Sequence, residues 1–444
     1  MESYTYNRIQ ITGGLNIKEL LKLELSVKAN QHGRAIIVGF MDMEKTDWKE
    51  SLKNHLVQIN LLKKDLKTFD KVLFTGYIER AEKNLLGEKL LIKLHLSSAT
   101  IALDRKIKSK SFQDTSWSYV TIIKNTIADT QHAGGIFLIG EDTCPTKPLI
   151  QYCETNWNFI LRLASHFHSV VYPDIKENNP KFYFGMPKKN KATEFLTEEF
   201  IKGISSHFYN LGGTQCGYAK KDFQYYKVFS YQPYEIGTIA EFQGEKYQIC
   251  QMDGKLIGNE MFFTYLLGKP AIVGLRRRQN SLFAGMSLLG NVLSVKGEKV
   301  KIHLDIDKSQ PETTAYPYEW VPDTGSVMYC MPQVGTRVSL YFSNAEESSA
   351  MAINCVRTNG EECSKTSNTE DRYLETEYGK EMVLKPDSMG IDTEDTRHSM
   401  SMFDEEGIRF GSSKNITIVA EKELKLKGKN VHLETPTKLK MAKY

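Results

Sequence analysis

The sequence has few of the features that mark membrane or secreted proteins. Its 444 residues hold seven cysteines, an odd number with no CxxC pair, which indicates reduced thiols and assembly in the cytoplasm. No apolar run approaches the roughly 20 residues of a membrane-spanning helix. The start, Met1-Glu2-Ser3-Tyr4, lacks a basic n-region and an apolar h-region, so we expect no signal peptide.

An excess of charge and the common catalytic motifs are also missing. The 58 basic and 54 acidic residues leave a net charge of only +4, which predicts no nucleic-acid-binding or membrane-binding surface. The chain contains no GxSxG, HExxH, P-loop or GxGxxG motif. We therefore expect no enzyme activity, no catalytic residues, no cofactor and no metal site.

Two pairs of residues could nevertheless carry chemistry. His166 and His168 are two positions apart, so on a helix they point to opposite sides, and ordinary packing is favoured over metal binding. Asp305 and Asp307 would share one face of a predicted strand, as a catalytic carboxylate pair does. Because no acid or base partner is identifiable, a solvated strand face is favoured.

Two further segments could contact a partner. Tyr316, Tyr318 and Trp320 fall in a predicted loop, where they would either stack a sugar or a base or pack between subunits. Arg276–Arg278 could meet an acidic partner, but a solvated linker is the better interpretation of so short a basic segment.

The clearest pattern is a ladder of apolar pairs in the last thirty or so residues. Each pair straddles one residue and so lies on one face of a short strand, and successive pairs begin eight, seven and eight positions apart. The predicted apolar face consists of Ile416, Ile418, Leu424, Leu426, Val431, Leu433, Leu439 and Met441.

Such strands cannot bury this face alone. Eight buried aliphatic side chains contribute roughly 12–24 kcal/mol, whereas ordering thirty residues costs roughly 30–60 kcal/mol. Repeat ladders solve this by stacking on neighbours, and the simplest neighbour is another copy of the same segment. An ordinary β-meander packed on the preceding domain fits the periodicity equally well.

The rest of the chain reads as mainly β and multidomain. Leu21, Leu23, Leu25 and Val27 alternate with polar residues as in a half-buried strand. Five strand-like runs after residue 285 suit an OB-fold. We divide the chain into a first β-barrel (1–110), an α/β insertion (111–204), a second β-barrel (205–280), an OB-fold (281–360) and a linker with the repeat segment (361–444).

Helices are predicted at three places. One short helix is expected near Asp47–Lys53, and a second runs to Ile127 from a cap at Thr115 or Ser116. The third carries the most specific stretch of the chain, Gln151 to Ala164, with Thr155 or Asn156 as its cap.

This third stretch resembles the signature helix of the VgrG and phage baseplate hub-spike family. The resemblance rests on Gln151, Tyr152, Glu154, Phe159, Arg162 and Leu163. Trp320-Val321-Pro322 and the segment from Met331 to Val338 resemble the OB-fold of that family. The turn Ser343–Ser349 departs from the acidic, proline-containing turn of many members. The short first barrel is more similar to phage tails and tailocins than to type VI effectors.

The resemblance implies two hub β-barrels with an α/β insertion, an OB-fold barrel and a C-terminal trimeric intertwined β-helix needle. Three chains with two similar barrels each would form a ring that fits a sixfold tail tube. The implied partners are two further copies of the chain, a tail-tube protein and baseplate proteins; whether a separate tip protein caps the needle stays open.

The implied role is structural: a hub-spike of a contractile injection particle that punctures a target envelope and meets a membrane only then. We expect assembly in the cytoplasm as part of a tail-like particle. The linker Gly360–Thr369 and the end at Tyr444 leave no room in this sequence for the lysozyme or toxin domain of some relatives. The alternatives are a baseplate-associated cell-wall hydrolase and an OB-fold protein that binds carbohydrate or nucleic acid.

Overall fold

The computed structural model describes residues 3–41, 55–87, 89–195, 197, 199–325, 330–357, 363–393 and 397–442. The helix expected near Asp47–Lys53 lies outside the described residues, as does most of one of the five strand-like runs expected after residue 285, Ser326–Cys330. The chain forms two compact units, residues 1–356 and 357–444, and each is described by itself.

The N-terminal strands form one antiparallel array in the order β1-β4-β5-β6-β3-β2. Leu23, Leu25 and Val27 face the core as their alternation predicts, whereas Leu21 stays 46% exposed. The strands are β1 (Ile9–Thr12), β2 (Ile17–Lys28), β3 (Arg34–Met41), β4 (Leu56–Leu62), β5 (Phe69–Leu86) and β6 (Lys89–Ser98).

The following segment mixes helices and short strands. The first helix begins after Ser118, whose hydroxyl accepts a hydrogen bond from the Thr121 amide at 3.2 Å, so the predicted caps at Thr115 and Ser116 are wrong. The elements are β7 (Ile107–Phe112), α1 (Tyr119–Ile127), β8 (Gly134–Phe137), β9 (Leu149–Thr155), α2 (Asn156–Ser165), β10 (Val171–Pro173) and β11 (Lys181–Phe184).

A second group of strands continues the first sheet rather than forming a separate one. It consists of β12 (Lys189–Glu194), β13 (Phe200–Ile204), helix α3 (Ser206–Asn210), β14 (Gln224–Ser230), β15 (Thr238–Phe242), β16 (Glu245–Ile257) and β17 (Glu260–Gly268). The start of β16 pairs with β15, and its later part pairs with β2 from Gln251 opposite Lys28 to Lys255 opposite Glu24.

The expectation of two hub β-barrels is therefore corrected: within the described residues, the two strand groups do not close into separate barrels. The two strand groups share one twelve-stranded sheet, because β16 is long enough to offer backbone partners to both. Their core is also common, since Leu23 and Ile37 of the first group lie in one apolar cluster with Phe263 and Leu267 of the second.

The next sheet is five-stranded, as an OB-fold requires. Its order is β20-β19-β18-β21-β22, and it encloses a core with Phe283, Val300 and Leu340. The strands are β18 (Ser287–Lys296), β19 (Lys299–Leu304), β20 (Pro317–Glu319), β21 (Arg337–Phe342) and β22 (Ala350–Val356).

The second unit is an antiparallel meander followed by an extended tail. The meander strands are β23 (Arg372–Glu375), β24 (Glu381–Lys385), β25 (Ser388–Asp392), β26 (His398–Phe403) and β27 (Gly407–Ser412). The described tail, residues 413–442, has no regular strand in the single chain. Among the described residues, no helix has the length and apolarity needed to cross a membrane.

Candidate functional site

The signature stretch lies on a strand followed by a helix rather than on one helix. Gln151, Tyr152 and Glu154 belong to β9, and α2 begins only at Asn156. The predicted cap is confirmed at Thr155, whose side-chain oxygen accepts from the Asn158 amide at 3.2 Å. The Gln151 side chain spans the junction, because its amide donates to the Glu154 carbonyl at 3.1 Å.

The signature side chains of α2 are buried. Phe159 and Leu163 are fully inaccessible and pack in one apolar cluster with Phe112 and Trp157. Phe112 and Phe159 stack with ring centroids 5.7 Å apart. The spacing of apolar residues on this helix therefore serves packing, as in other amphipathic helices.

Arg162 is the charged centre of this region, with its side chain only 3% exposed. Its guanidinium donates from Nε to Glu154 at 3.2 Å and from Nη2 to the Ile150 carbonyl at 2.8 Å. Nη1 pairs with Glu347, whose side chain is 9% exposed. One arginine thus lies between two buried carboxylates, an arrangement we call the buried triad.

The electrostatics of the triad favour a charged arginine. Burial raises the pKa of the Glu154 carboxyl, and the nearby Arg162 opposes that rise. Burial would lower the pKa of Arg162, but Glu347 and Glu154 outweigh it and raise that pKa above its ordinary value. A fixed cation can therefore join parts of the chain that are far apart in sequence.

The triad joins the signature segment to the OB-fold. Glu347 belongs to the turn between β21 and β22 of the OB-fold. Ile150, next to the signature, lies fully buried in the OB-fold core, and Tyr152 packs against Phe283 with ring centroids 5.9 Å apart. The Asn280 side chain also donates to the Tyr152 carbonyl at 2.8 Å.

A second set of polar contacts joins the OB-fold to β7 and the residue that follows it, beside the signature strand β9 with which β7 pairs. Asp307 accepts from the Ser111 amide at 2.7 Å and from the Ser111 hydroxyl, and burial raises the pKa of Asp307 while these bonds oppose the rise. Gln113 donates to the Ile302 carbonyl at 3.1 Å and accepts from the Tyr316 amide at 3.1 Å.

These contacts correct the interpretation of Asp305 and Asp307 as one solvated strand face. Strand β19 ends at Leu304, so both residues lie in the turn beyond it. Asp305 forms a two-point ion pair with Arg337 at 2.6 and 2.7 Å, whereas Asp307 bonds to Ser111. The two carboxylates therefore have separate structural partners.

The predicted loop of aromatic residues is likewise corrected. Tyr318 lies on β20 and is only 2% exposed in the OB-fold core, so it cannot stack a sugar or a base. Tyr316 and Trp320 pack partly buried against the same core. The Tyr316 and Tyr318 rings meet edge to face, with centroids 5.1 Å apart.

The histidine pair has no third ligand nearby. His166 caps the end of α2 and shares a hydrogen bond with the Tyr119 hydroxyl at 2.9 Å, while His168 is exposed. Within the described ranges, no group of three or more His, Cys, Asp or Glu side chains could hold a metal ion.

His166 should make the protein less stable in mild acid. Burial, aided by Arg277 and Arg162, lowers the pKa of His166 to about 3. The unfolded chain takes up this proton near pH 6.5 and the folded chain does not, so stability falls as pH decreases from 6.5 toward 3. We expect His166→Gln to remove about 1.5 kcal/mol of the stability loss between pH 6.5 and 5, measured by urea unfolding at each pH. An unchanged pH dependence in the variant would contradict this assignment, and His168→Gln is the exposed control.

The meander of the second unit has one apolar face. Cross-strand partners share a face, and rows of partners that are two residues apart lie on the same side of the sheet. One row runs from Leu374 through Met382, and the other from Leu384 through Met389. Together they place on this side Leu374, Met382, Leu384, Met389, Ile391, Met400, Met402, Ile408 and Phe410.

This apolar face is uncovered in the single chain. Ile391, Ile408 and Phe410 are 53–63% exposed, although the opposite side carries mostly polar residues such as Glu381 and Ser399. The eight apolar residues predicted in the tail are likewise 54–79% exposed. Exposed apolar faces of this kind mark an interaction site.

The sequence reasoning missed several of these residues. Glu347 lies in the turn whose sequence departs from the family pattern, and its acidic character was the available signal. No sequence pattern around Asp307 predicted its hydrogen bond to Ser111, which is 196 positions away. The apolar face of the meander could have been found from the alternation Met400-Ser401-Met402 and Ile408-Arg409-Phe410.

Comparison with known proteins gives matches in structure alone. No protein-family model matches the chain, and no curated protein matches it in sequence. An Escherichia coli component of the type VI secretion system, described as structurally similar to the T4 bacteriophage tail proteins gp27 and gp5, superposes with a TM-score of 0.58 at 13% identity. The match covers 79% of this chain and 99% of that one.

Two further structures extend the match. A chain of the lidded Francisella PdpA–VgrG complex superposes with a TM-score of 0.59 at 8% identity, covering 89% of this chain and 76% of that one. A chain of the lidless PdpA–VgrG complex superposes with a TM-score of 0.56 at 8% identity, and the match covers 88% of this chain and 93% of that one. The expected fold is thereby confirmed: this mainly β, multidomain chain has the fold of the VgrG and phage baseplate hub proteins.

Proposed function

We propose that this protein is the trimeric hub-spike of a contractile injection particle. The observation that carries the proposal is the uncovered apolar surface of the second unit, which consists of the meander face and of the exposed apolar residues in the tail that follows it in the sequence. One chain cannot bury it, and three copies around an axis can turn the same side of each chain inward. Each buried aliphatic side chain would then contribute about 1.5–3 kcal/mol.

The meander face suits such a shared core. Four of its nine side chains are methionines, which are flexible enough to fill the irregular space along a symmetry axis. Its neighbouring strands pair in one antiparallel order, so each chain presents one continuous sheet to its partners. In the proposed trimer, Ile416, Ile418, Leu424, Leu426, Val431, Leu433, Leu439 and Met441 form the core of an intertwined needle.

The first unit supplies the hub. The two strand groups that share the twelve-stranded sheet, β1–β6 and β12–β17, are proposed to be similar in structure, so that three chains offer six near-equivalent surfaces to a sixfold tail-tube protein. The fold shared with type VI secretion and phage tail proteins supports such a place in a tail-like particle, beside other baseplate proteins. If the two groups do not superpose strand by strand, the symmetry-adapter part of the proposal fails.

The role of the joint is mechanical. Force applied along the needle must pass through the OB-fold into the hub, and the buried triad with the Asp307–Ser111 contact joins those parts. The needle would concentrate the force of sheath contraction on a small area of the target envelope. We propose that the protein acts by this transmission of force, without catalysis.

Mass in solution tests the trimer directly. We expect the purified full chain to have three times the mass of one chain by light scattering, at concentrations down to the micromolar range. A monomer under conditions where the protein is folded would overturn the trimeric spike. A dimer would do so as well, because two copies cannot form a threefold needle.

The competing proposal, a cell-wall hydrolase, has its own test. We expect no clearing of peptidoglycan in a zymogram of the purified protein, because the sequence contains no GxSxG, HExxH, P-loop or GxGxxG motif. Lysozyme run on the same gel is the positive control. Clearing that remains after repurification, and that comigrates with this chain, would favour the hydrolase instead.

A further inference from the structure

The tail differs in charge from the meander that precedes it. Residues 413–442 contain seven lysines and three glutamates, a net charge of +4. Residues 372–412 contain ten acidic and five basic residues, a net charge of −5. The small net charge of the whole chain therefore conceals a basic segment, and we call residues 413–442 the basic tail.

The alternation places these lysines away from the apolar ladder. Lys425 stands between Leu424 and Leu426, and Lys440 stands between Leu439 and Met441, so in the strands of the proposed trimer both would point to the side opposite the ladder. Four others, Lys422, Lys427, Lys429 and Lys438, fall in the segments between the ladder pairs, and Lys414 precedes the first pair.

Little within the tail neutralises this charge. Among its described residues, one ion pair occurs, between Lys425 and Glu423 at 2.6 Å, and both partners are exposed. Such an exposed pair is weak and is screened by salt. Three copies in a trimer would triple the net charge and surround the needle with lysines on every side.

We propose that the basic tail forms the outer surface of the needle and binds the anionic lipid surface of the target membrane. This inference rests on the proposed trimer, because only there are the apolar residues buried and the lysines displayed together. Clusters of lysines bind anionic headgroups through charge, with a strength that falls at high ionic strength. Charged side chains are costly in the hydrocarbon region, so the contact is made at the level of the headgroups.

An anionic lipid surface fits better than a nucleic acid. The ladder offers no aromatic side chain on which bases could stack, since the described tail contains no Phe, Tyr or Trp. Its lysines are interspersed with small and polar residues such as Gly428, Asn430 and Thr437, which do not block the approach of lipid headgroups. A membrane contact also belongs to the same step as puncture of the envelope.

Vesicle binding of the full-length protein tests the proposal. We expect cosedimentation with vesicles of phosphatidylcholine and phosphatidylglycerol, at least tenfold weaker binding to phosphatidylcholine alone, and loss of binding when salt rises from about 0.05 M to about 0.5 M. Equal binding to both vesicle types, or no binding to either, would overturn it. Retardation of DNA in a gel by protein that does not bind the vesicles would also overturn the proposal.

Charge reversal locates the surface. We expect the triple variant Lys422→Glu, Lys427→Glu and Lys429→Glu to reduce vesicle binding at least tenfold, because it changes the net charge of the tail from +4 to −2. The matched control, Lys106→Glu, Lys221→Glu and Lys296→Glu, alters three exposed lysines of the first unit by the same charge and should bind as the wild type does. Equal loss in both variants would overturn the assignment to the tail.

Mass measured on the same samples separates the two proposals. A wild-type trimer that does not bind anionic vesicles contradicts the lipid contact and leaves the spike intact. A wild-type protein that is monomeric in solution contradicts the proposed trimeric spike, whether or not it binds vesicles. If the Lys→Glu variant no longer forms the trimer, the Lys→Gln variant at the same three positions is tested instead, because it removes charge without adding carboxylates.

Discussion

Aspartate at Ile418 or Leu426 should abolish the trimer, whereas aspartate at Lys425 should leave it intact. The ladder places Ile418 and Leu426 on the apolar side that three chains would share, so symmetry brings three copies of each new carboxylate together. Each would be desolvated without a partner at a cost of several kcal/mol unless it takes up a proton. Resistance of the trimer to SDS and its dissociation midpoint in denaturant measure the effect.

Lys425→Asp is the matched control because it adds the same side chain one position away, on the outward side. Changes of an exposed charge are typically worth less than about 0.5 kcal/mol. If all three variants keep the trimer equally well, the assignment of faces in the tail is wrong. If all three lose it, the tail does not alternate between an inner and an outer side, and the intertwined needle fails with it.

Local patterns predicted local structure well. Thr155 was expected to cap α2 because a hydroxyl before an apolar helix can accept from the first free amides, and it accepts from Asn158. The alternation at Leu23, Leu25 and Val27 identified β2 and its buried side. In both cases the decisive interactions lie within a few residues of one another in the sequence.

Contacts between distant segments were not predictable in this way. The pairing of β2 with β16 places Ser26 beside Asp253, 227 positions away, and no sequence pattern gives that register. The same holds for Glu347, which bonds to Arg162 across 185 positions. Alternation shows which side of a strand is apolar, but it does not show which strand lies beside it.

The tail shows a different limit. Its periodicity predicts which residues share a side, yet the single chain forms no strand from 413 to 442. A three-residue strand leaves its backbone groups unpaired unless a neighbour supplies partners, so the pattern has no structural expression in one copy. The meander at 372–412 forms because its strands pair with one another, although its apolar side stays uncovered.

Loss of Arg162 should be the most damaging single change in the first unit. Arg162→Met keeps most of the side-chain volume but leaves Glu154 and Glu347 buried without their cation. Removing one partner of a buried ion pair typically costs about 3–5 kcal/mol, because the remaining charge is neither solvated nor compensated. We expect the free energy of unfolding in urea to fall by that amount. We also expect limited proteolysis to release the OB-fold more readily from this variant than from the wild type.

Arg337→Met provides the matched control. Arg337 also pairs with a carboxylate at two points, but Asp305 is 46% exposed and water can replace the lost contact. Exposed pairs contribute only about 0.2–1 kcal/mol. Equal losses in the two variants would show that the buried triad has no special part in joining the OB-fold to the signature segment.

The pH dependence of Arg162→Met distinguishes an uncompensated charge from a packing defect. Burial already raises the pKa of Glu154 with the arginine present, and removal of the cation should raise it further. The folded variant would then bind a proton that the unfolded chain releases, so its stability rises as pH falls. We therefore expect the deficit relative to the wild type to shrink by at least about 1 kcal/mol from pH 7 to pH 5. A packing defect would leave the deficit the same at both pH values, because a missing contact between apolar atoms does not depend on protons.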